Sequence, residues 1–184
     1  VLIANRGEIA VRVIKTCKEQ GIRTVGIYSD ADKRAVHVQL ADESYCVGPA
    51  PSQESYLRQD VIIDIALRSK SEAIHPGYGF LSENAEFAKK VIDAGILWLG
   101  PPPSAILAMG SKIQAKQLLK GNKDVPLIPG STSAVESKEQ LISLADEIGF
   151  PVLLKASAGG GGKGMRVVRS SNELSNSLEQ AQRE

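Results

Sequence analysis

Val1-Leu-Ile-Ala-Asn-Arg-Gly-Glu-Ile-Ala-Val-Arg-Val-Ile-Lys-Thr-Cys-Lys-Glu-Gln-Gly21 contains the unit from which the first part of the chain is built. Val1 to Ala4 is an apolar run that reads as a buried strand. Ile9, Ala10, Val13, Ile14 and Cys17 then recur at helical spacing, with Arg12, Lys15, Lys18 and Glu19 opposite. Asn5 stands where a helix cap belongs, Glu8 follows at capping-box spacing, and Gly21 supplies a stop. Further strands are read at Thr24 to Tyr28, Tyr45 to Val47, Ala73 to His75 and Ile96 to Leu99. Between them run the helical stripes Leu57, Val61, Ile62, Ile65, Ala66 and Phe87, Ala88, Val91, Ile92. Alternating βα units predict an α/β fold, a parallel sheet covered by helices on both faces.

The punctuation changes at Pro101 to Pro103, since three prolines cannot join the ladder of a central strand. A short helix at Ala105 to Met109 follows, and the first domain is expected to span residues 1–109, leaving 110–184 as a linker helix and the beginning of a second domain. That second part opens with a helix from about Lys112 to Lys120. It continues with a stripe of Leu141, Leu144, Ala145 and Ile148 capped by Ser137, and a strand at Val152 to Lys155. A glycine loop, a strand at Met165 to Val168 and a helix through Leu174, Leu178 and Ala181 complete it.

Composition narrows the function. The 184 residues are 42% hydrophobic and 23% charged, ordinary for a globular protein, and a chain of this length can build a core. A net charge of +1 and 4% aromatic residues argue against a nucleic-acid or acidic membrane partner. No apolar run reaches the roughly 20 residues of a membrane span, and no signal peptide is visible. Cys17 and Cys46 have no metal-ligand spacing and read as small core residues of a protein in a reducing compartment. Because position 1 is Val and already lies in a strand, the chain is expected to be cut from a longer polypeptide.

Two stretches carry chemistry. In Ala158-Gly-Gly-Gly-Gly-Lys163-Gly164-Met165, five of the 17 glycines fall within six residues. In regular structure each costs about 0.5–1 kcal/mol relative to Ala, so the run implies close backbone approach. Successive N–H groups can wrap a phosphate, and Lys163 adds a cation. Gly159, Gly161 and Gly164 formally match GxGxxG, but a strand follows where the dinucleotide fingerprint needs a helix. A phosphate-binding loop of the Walker type fails as well, with Ser157 where its first glycine belongs. A glycine hairpin over a nucleotide remains, against the alternative of a flexible hairpin tip. Lys155, directly before the loop, would then face the phosphates rather than being a merely solvated strand end.

The second stretch is His75-Pro-Gly-Tyr-Gly-Phe-Leu-Ser-Glu83-Asn84. Ligands of open α/β sheets bind beyond the carboxyl ends of strands, which makes this loop a candidate wall. Tyr78 can stack on a planar group, and Gly79 allows a tight backbone. Glu83, taken alone, reads as a first-turn helix residue, His75 as structural and His37 as a surface residue. No Ser-His-Asp order, HExxH or acidic cluster can be assembled, so the residues holding any metal over the glycine loop are expected beyond Glu184.

Ile3-Ala-Asn-Arg-Gly-Glu-Ile-Ala10, the His75 to Asn84 loop, Met109-Gly-Ser-Lys112 and Lys155-Ala-Ser-Ala-Gly-Gly-Gly-Gly-Lys-Gly-Met-Arg-Val-Val168 together resemble the biotin carboxylase component of biotin-dependent carboxylases, in order and over essentially the whole chain. The resemblance implies an ATP-grasp ligase that activates bicarbonate as carboxyphosphate with ATP and Mg2+, then carboxylates biotin on a carrier domain. On that basis residues 1–109 match the Rossmann-like domain preceding the ATP-grasp fold, and 110–184 the start of its lid domain. Lys112 and Lys155 match nucleotide-contacting lysines, Gly160, Gly161, Gly162 and Met165 match the mobile lid with Lys163 beside them, and Tyr78, Gly79 and Glu83 match the loop lining the biotin end.

Arg12, Lys15 and Glu19 resemble positions used in the family's dimer contact, with a plain solvated face as the alternative. The resemblance further implies a biotin carboxyl carrier domain and a carboxyltransferase subunit as partners. It implies a mitochondrial matrix setting if the source is eukaryotic and a cytoplasmic one otherwise. It also places the metal carboxylates, the bicarbonate-binding arginine and the catalytic base beyond Glu184, so the chain alone is expected to be inactive. Met109-Gly-Ser-Lys112 and Trp98-Leu-Gly-Pro lean towards a methylcrotonyl-CoA carboxylase, with propionyl-CoA, acetyl-CoA and pyruvate carboxylases as alternatives. Another ATP-grasp ligase, such as a carbamoyl-phosphate synthetase, shares the glycine lid but not the Tyr78 loop in this form. A non-catalytic nucleotide-binding module is the remaining reading.

Overall fold

β1 (Leu2–Ile3) is the centre of a five-stranded parallel sheet in a computed structural model that describes residues 1–122, 124–131, 133, 135, 137–155 and 165–174. On one side of it lie β2 (Val25–Ser29) and the edge strand β3 (Glu43–Gly48). On the other lie β4 (Ala73–His75) and the edge strand β5 (Leu97–Trp98). The order β3-β2-β1-β4-β5 is doubly wound, reversing direction between β1 and β4.

Strand alternation distributes the core. Ile3 faces α1 (Gly7–Glu19) and packs with Ala10 and Ile14, joined by Leu40 of α2 (Val36–Leu40). Leu2 and Ala4 point the opposite way, into a larger cluster with Ile62 and Ile65 of α3 (Gln59–Arg68) and Phe87 and Val91 of α4 (Ala85–Asp93). Helices therefore cover both faces, as the alternating pattern predicts.

Three helices turn into strands by one device. After α1, Ile22 N–H donates to Cys17 O (2.8 Å) and Gly21 N–H to Lys18 O (3.1 Å), with Gly21 left-handed. The ends of α3 and α4 repeat the pattern around Lys70 and Gly95, both at positive φ. Each such end delivers the chain to the start of the next strand, which keeps the αβ connections short.

Four expectations are corrected here. Asn5 does not cap α1: the cap position is Arg6, without a side-chain bond, and Asn5 turns to the β4 loop instead. Cys46 is exposed, because β3 proves to be an edge strand, and its thiol donates to Asp30 Oδ1 at 3.3 Å. His37 is buried at 1% exposure, drawn in by two backbone partners. Glu83 precedes α4, which is capped by Asn84 accepting from Phe87 N–H at 2.8 Å, and is exposed.

The chain divides between Leu107 and Ala108, within α5 (Pro103–Gly110). The second unit contains α6 (Lys112–Leu119), α7 (Lys138–Ile148) and an antiparallel pair, β6 (Val152–Lys155) with β7 (Met165–Val168). Ser137 caps α7, its Oγ accepting from Gln140 N–H at 3.2 Å. Leu141 and Ala145 of α7 pack with Val168, Leu174, Val152 and Leu154, so one face of the strand pair forms this unit's core. Among the described residues no helix is long and apolar enough to cross a membrane.

Candidate active site

The sheet reverses direction between β1 and β4, and the loops leaving their carboxyl ends diverge around a crevice of about 380 Å³. Asn5, Arg6, Gly7, Glu8 and Ile9 line it from the β1 side, and Tyr78, Gly79 and Phe80 from the β4 side. Ala4 N–H donates to His75 O at 2.8 Å, so the two strand ends are level where the loops begin.

Asn5 joins the loops. It is 2% exposed, and its Nδ2 donates to both Pro76 O and Tyr78 O at 2.8 Å. Its Oδ1 accepts from Arg6 N–H at 2.9 Å. Gly77 lies against this amide at φ +67°, where an added Cβ would meet Nδ2 at 2.8 Å. His75 is half-buried, its Nδ1 accepts from Gly77 N–H at 2.9 Å, and burial with the Arg12 charge pushes its pKa down. Tyr78 is 57% exposed, its hydroxyl donates to Glu8 Oε2 at 2.8 Å, and this bond to a carboxylate raises the phenol's pKa.

Beneath the loops lies a polar network that the sequence reading missed. Arg6 makes a two-pronged contact with Asp32, Nε to Oδ2 at 2.5 Å and Nη2 to Oδ1 at 2.6 Å. The Tyr56 hydroxyl donates to Asp32 Oδ2 at 2.5 Å and accepts from Ser29 N–H at 2.9 Å. The bond from Arg6, with the Tyr56 hydroxyl second, holds the Asp32 carboxyl well below the usual carboxylate range. His37 Nε2–H donates to Ile27 O (3.1 Å) and Nδ1 accepts from Gly7 N–H (3.4 Å), which defines the tautomer, while burial keeps the ring neutral. The signal for this network was the charged Asp30-Ala-Asp-Lys-Arg34 segment directly after β2, a second strand end on the same edge of the sheet.

In the second unit, Lys155 pairs with Met165 at the open end of β6 and β7. Leu153, Lys155, Met165 and Val167 occupy one face, and all four are exposed. Lys112 opens α6, its side chain outside the described residues, and Gly160, Gly161, Gly162 and Lys163 also lie outside them. The expected site residues therefore fall into two groups, Tyr78 and Gly79 in the first unit and Lys155 and Met165 in the second. Glu83, in the first unit, is exposed in the turn before α4.

Residues 1–106 match the biotin carboxylase N-terminal domain model. The chain belongs to the biotin carboxylase family. Residues 111–184 match the ATP-binding domain of the carbamoyl-phosphate synthase L chain. Biotin carboxylase 1 of Bacillus subtilis is 51% identical over the whole chain, which covers 41% of that relative. The mouse mitochondrial propionyl-CoA carboxylase alpha chain is 54% identical over 94% of the chain and 24% of its own length. The corresponding values for mouse methylcrotonoyl-CoA carboxylase subunit alpha are 52%, 100% and 26%. Among solved structures, the biotin carboxylase domain dimer of the Hydrogenobacter thermophilus 2-oxoglutarate carboxylase, in complex with MgADP, ADP and bicarbonate, superposes with a TM-score of 0.89. It is 49% identical, and the match covers 98% of this chain and 39% of that one. The chain thus spans about two-fifths or less of each of these relatives. The α/β fold with its parallel sheet is the family's.

Proposed function

We propose that this chain is the N-terminal part of a biotin carboxylase, which carboxylates biotin on a carrier domain with bicarbonate and ATP. The observation that carries the proposal is the crevice at the switch point of the strand order, walled by Tyr78 and Gly79 and lying within the residues that match the biotin carboxylase N-terminal domain. Within the parent enzyme we assign residues 1–109 to the first domain and 110–184 to the linker and the start of the lid domain.

The open face of β6 and β7 fits one end of ATP. Leu153, Met165 and Val167 offer an apolar surface for a planar base, and Lys155 ends it with a charge beside the glycine run, where phosphates would lie. Lys112, Lys163 and the amides of Gly160, Gly161 and Gly162 complete the proposed nucleotide set. Lysines and amides so placed neutralise the charge that develops on a transferring phosphoryl group, and closure of the loop would exclude competing water. Among the described residues no three His, Cys, Asp or Glu side chains cluster to hold a metal. From the family resemblance, the Mg2+ carboxylates, the bicarbonate arginine and the base are assigned to the rest of the enzyme. Tyr78, Gly79 and, more peripherally, Glu83 are assigned to the biotin end.

For the acyl acceptor we propose the methylcrotonyl-CoA type, supported by Met109-Gly-Ser-Lys112 and Trp98-Leu-Gly-Pro. Identities of 54% and 52% to propionyl-CoA and methylcrotonoyl-CoA subunits are too close to favour either. The proposed partners are a biotin carboxyl carrier domain, a carboxyltransferase subunit and a second copy met through Arg12, Lys15 and Glu19, all exposed on α1. The setting follows the source, the mitochondrial matrix in a eukaryote and the cytoplasm in a bacterium.

Phosphate release from ATP by the full-length enzyme, with and without bicarbonate and free biotin, tests the reading. Release that requires bicarbonate and rises with biotin is expected, with no turnover by residues 1–184 alone. Release triggered by another substrate and indifferent to biotin would transfer the glycine lid to a different ATP-grasp ligase.

A further inference from the structure

The β4 loop is held by more contacts than a connecting turn needs. Asn5 fixes its backbone at Pro76 and Tyr78. Phe80 is held at φ +42°, unusual for a residue with a side chain, and its ring stacks on Tyr56 at 5.2 Å. Strain of this kind persists where surrounding contacts over-determine it. These contacts place the backbone but leave the exposed Tyr78 side chain to be ordered by something else. Glu8 supplies that contact, accepting the Tyr78 hydroxyl across 70 residues of sequence. It stands in the first turn of α1, one turn before Arg12.

We propose that Glu8 is a positioning residue for the biotin-side wall: its carboxylate takes the Tyr78 proton in a hydrogen bond and so fixes which face of the ring the crevice presents. This rests on the assignment of Tyr78 to the biotin end of the site. With its proton committed to Glu8, the phenol offers a ligand only an acceptor lone pair and the ring face. A ligand N–H or an apolar edge suits that wall, and a ligand carbonyl directed at the hydroxyl does not. A phenol is protonated across the neutral range, and the bond to Glu8 raises the Tyr78 pKa further. A free ring would have to be ordered when the ligand binds, which weakens binding without touching the nucleotide.

Steady-state turnover of the full-length enzyme with free biotin, comparing Glu8→Ala, Glu8→Gln, Tyr78→Phe, Tyr78→Ala and the Glu8→Ala/Tyr78→Phe pair, provides the test. One hydrogen bond's net worth sets the scale, so Glu8→Ala and Tyr78→Phe should each raise the KM for biotin about 3- to 10-fold while leaving the KM for ATP in place. The pair should do no more than the larger single change, since both remove one bond. Glu8→Gln keeps an acceptor and should bring the KM for biotin back to within about 2-fold of the parent. A merely structural Glu8 would move both KM values together and would not be rescued by Gln. If Tyr78→Ala raises the KM for biotin and Glu8→Ala does not, the latch is wrong and the wall stands. If Tyr78→Ala leaves the KM for biotin unchanged, the assignment of Tyr78 itself fails, and the latch fails with it.

Discussion

Gly77→Ala probes the join between the two loops. Gly77 sits at φ +67°, a conformation that costs a residue with a Cβ about 1–2 kcal/mol. The new methyl would also lie 2.8 Å from Asn5 Nδ2 and 3.1 Å from Asn5 Cβ and Cγ, so every close contact is with one buried side chain. Asn5 cannot move aside and keep both of its 2.8 Å bonds to Pro76 O and Tyr78 O. Each is worth about 0.5–1.5 kcal/mol net, so with the backbone cost the substitution should destabilise the first unit by about 2–5 kcal/mol. Trp98, the single tryptophan, is 7% exposed and packs edge-on against Phe87 at 5.6 Å, so its fluorescence during urea unfolding reports this unit alone. The midpoint should fall with little change in slope. In an Asn5→Gly background the hydrogen bonds and the crowding side-chain atoms are already gone, and Gly77→Ala should cost only the backbone share of about 1–2 kcal/mol. A loss below about 1 kcal/mol in the parent, or the same loss in both backgrounds, would refute the claim that Asn5 holds the loop.

Tyr56→Phe removes the bond to Asp32 and leaves Ser29 N–H without its acceptor, and should cost about 2–4 kcal/mol by the same fluorescence measurement. Because the folded Asp32 pKa is depressed, its stabilisation is present above the ordinary carboxylate pKa and lost as pH falls through the folded value. Tyr56→Phe should therefore bring acid unfolding to higher pH. The two histidines are both depressed, so the native state binds fewer protons than the unfolded chain below about pH 6.5, and stability should fall on acidification from there towards the folded pKa values. His37→Gln should flatten that slope, and NMR titration should show His37 neutral where a free imidazole is half charged. In the second unit, Lys155→Gln should raise the KM for ATP about 10- to 100-fold in the full-length enzyme, the range expected for a hydrogen bond to a charged phosphate, with little effect on the KM for biotin.

The layered α/β architecture was legible because each element announces itself within a dozen residues: Ile9, Ala10, Val13 and Ile14 sit at helical spacing, and the glycine or strand that follows stands next to them. Misreadings occurred where a residue's partner lies far along the chain. Asn5 and Glu8 satisfy the spacing of a capping box, yet their partners are Pro76 and Tyr78, and two buried carbonyls decide the orientation of Asn5. His37 looks like part of a charged surface segment until Gly7 and Ile27 are known to be its neighbours. Cys46 has the surroundings of a core residue, but exposure depends on strand order, which no local pattern contains. In the second unit, the open face carrying Lys155 follows directly from alternation along β6 and β7.

These long-range partners also explain why one crevice can be built from two motifs some 70 residues apart. A reversal of strand order sends the chains leaving β1 and β4 in opposite directions, so neither loop can cover the other's backbone. Pro76 O and Tyr78 O would face an open gap unless a donor reached across it, and a single amide with two N–H groups satisfies both at once. Aspartate has no donor to offer there, and glutamine, one methylene longer, would meet the space that Gly77 already fills. The lack of a side chain at 77 and the presence of an amide at 5 are therefore one requirement, expressed at two positions. Coupling between substitutions at these positions measures it directly, and additive effects would mean that the loops hold their shape independently.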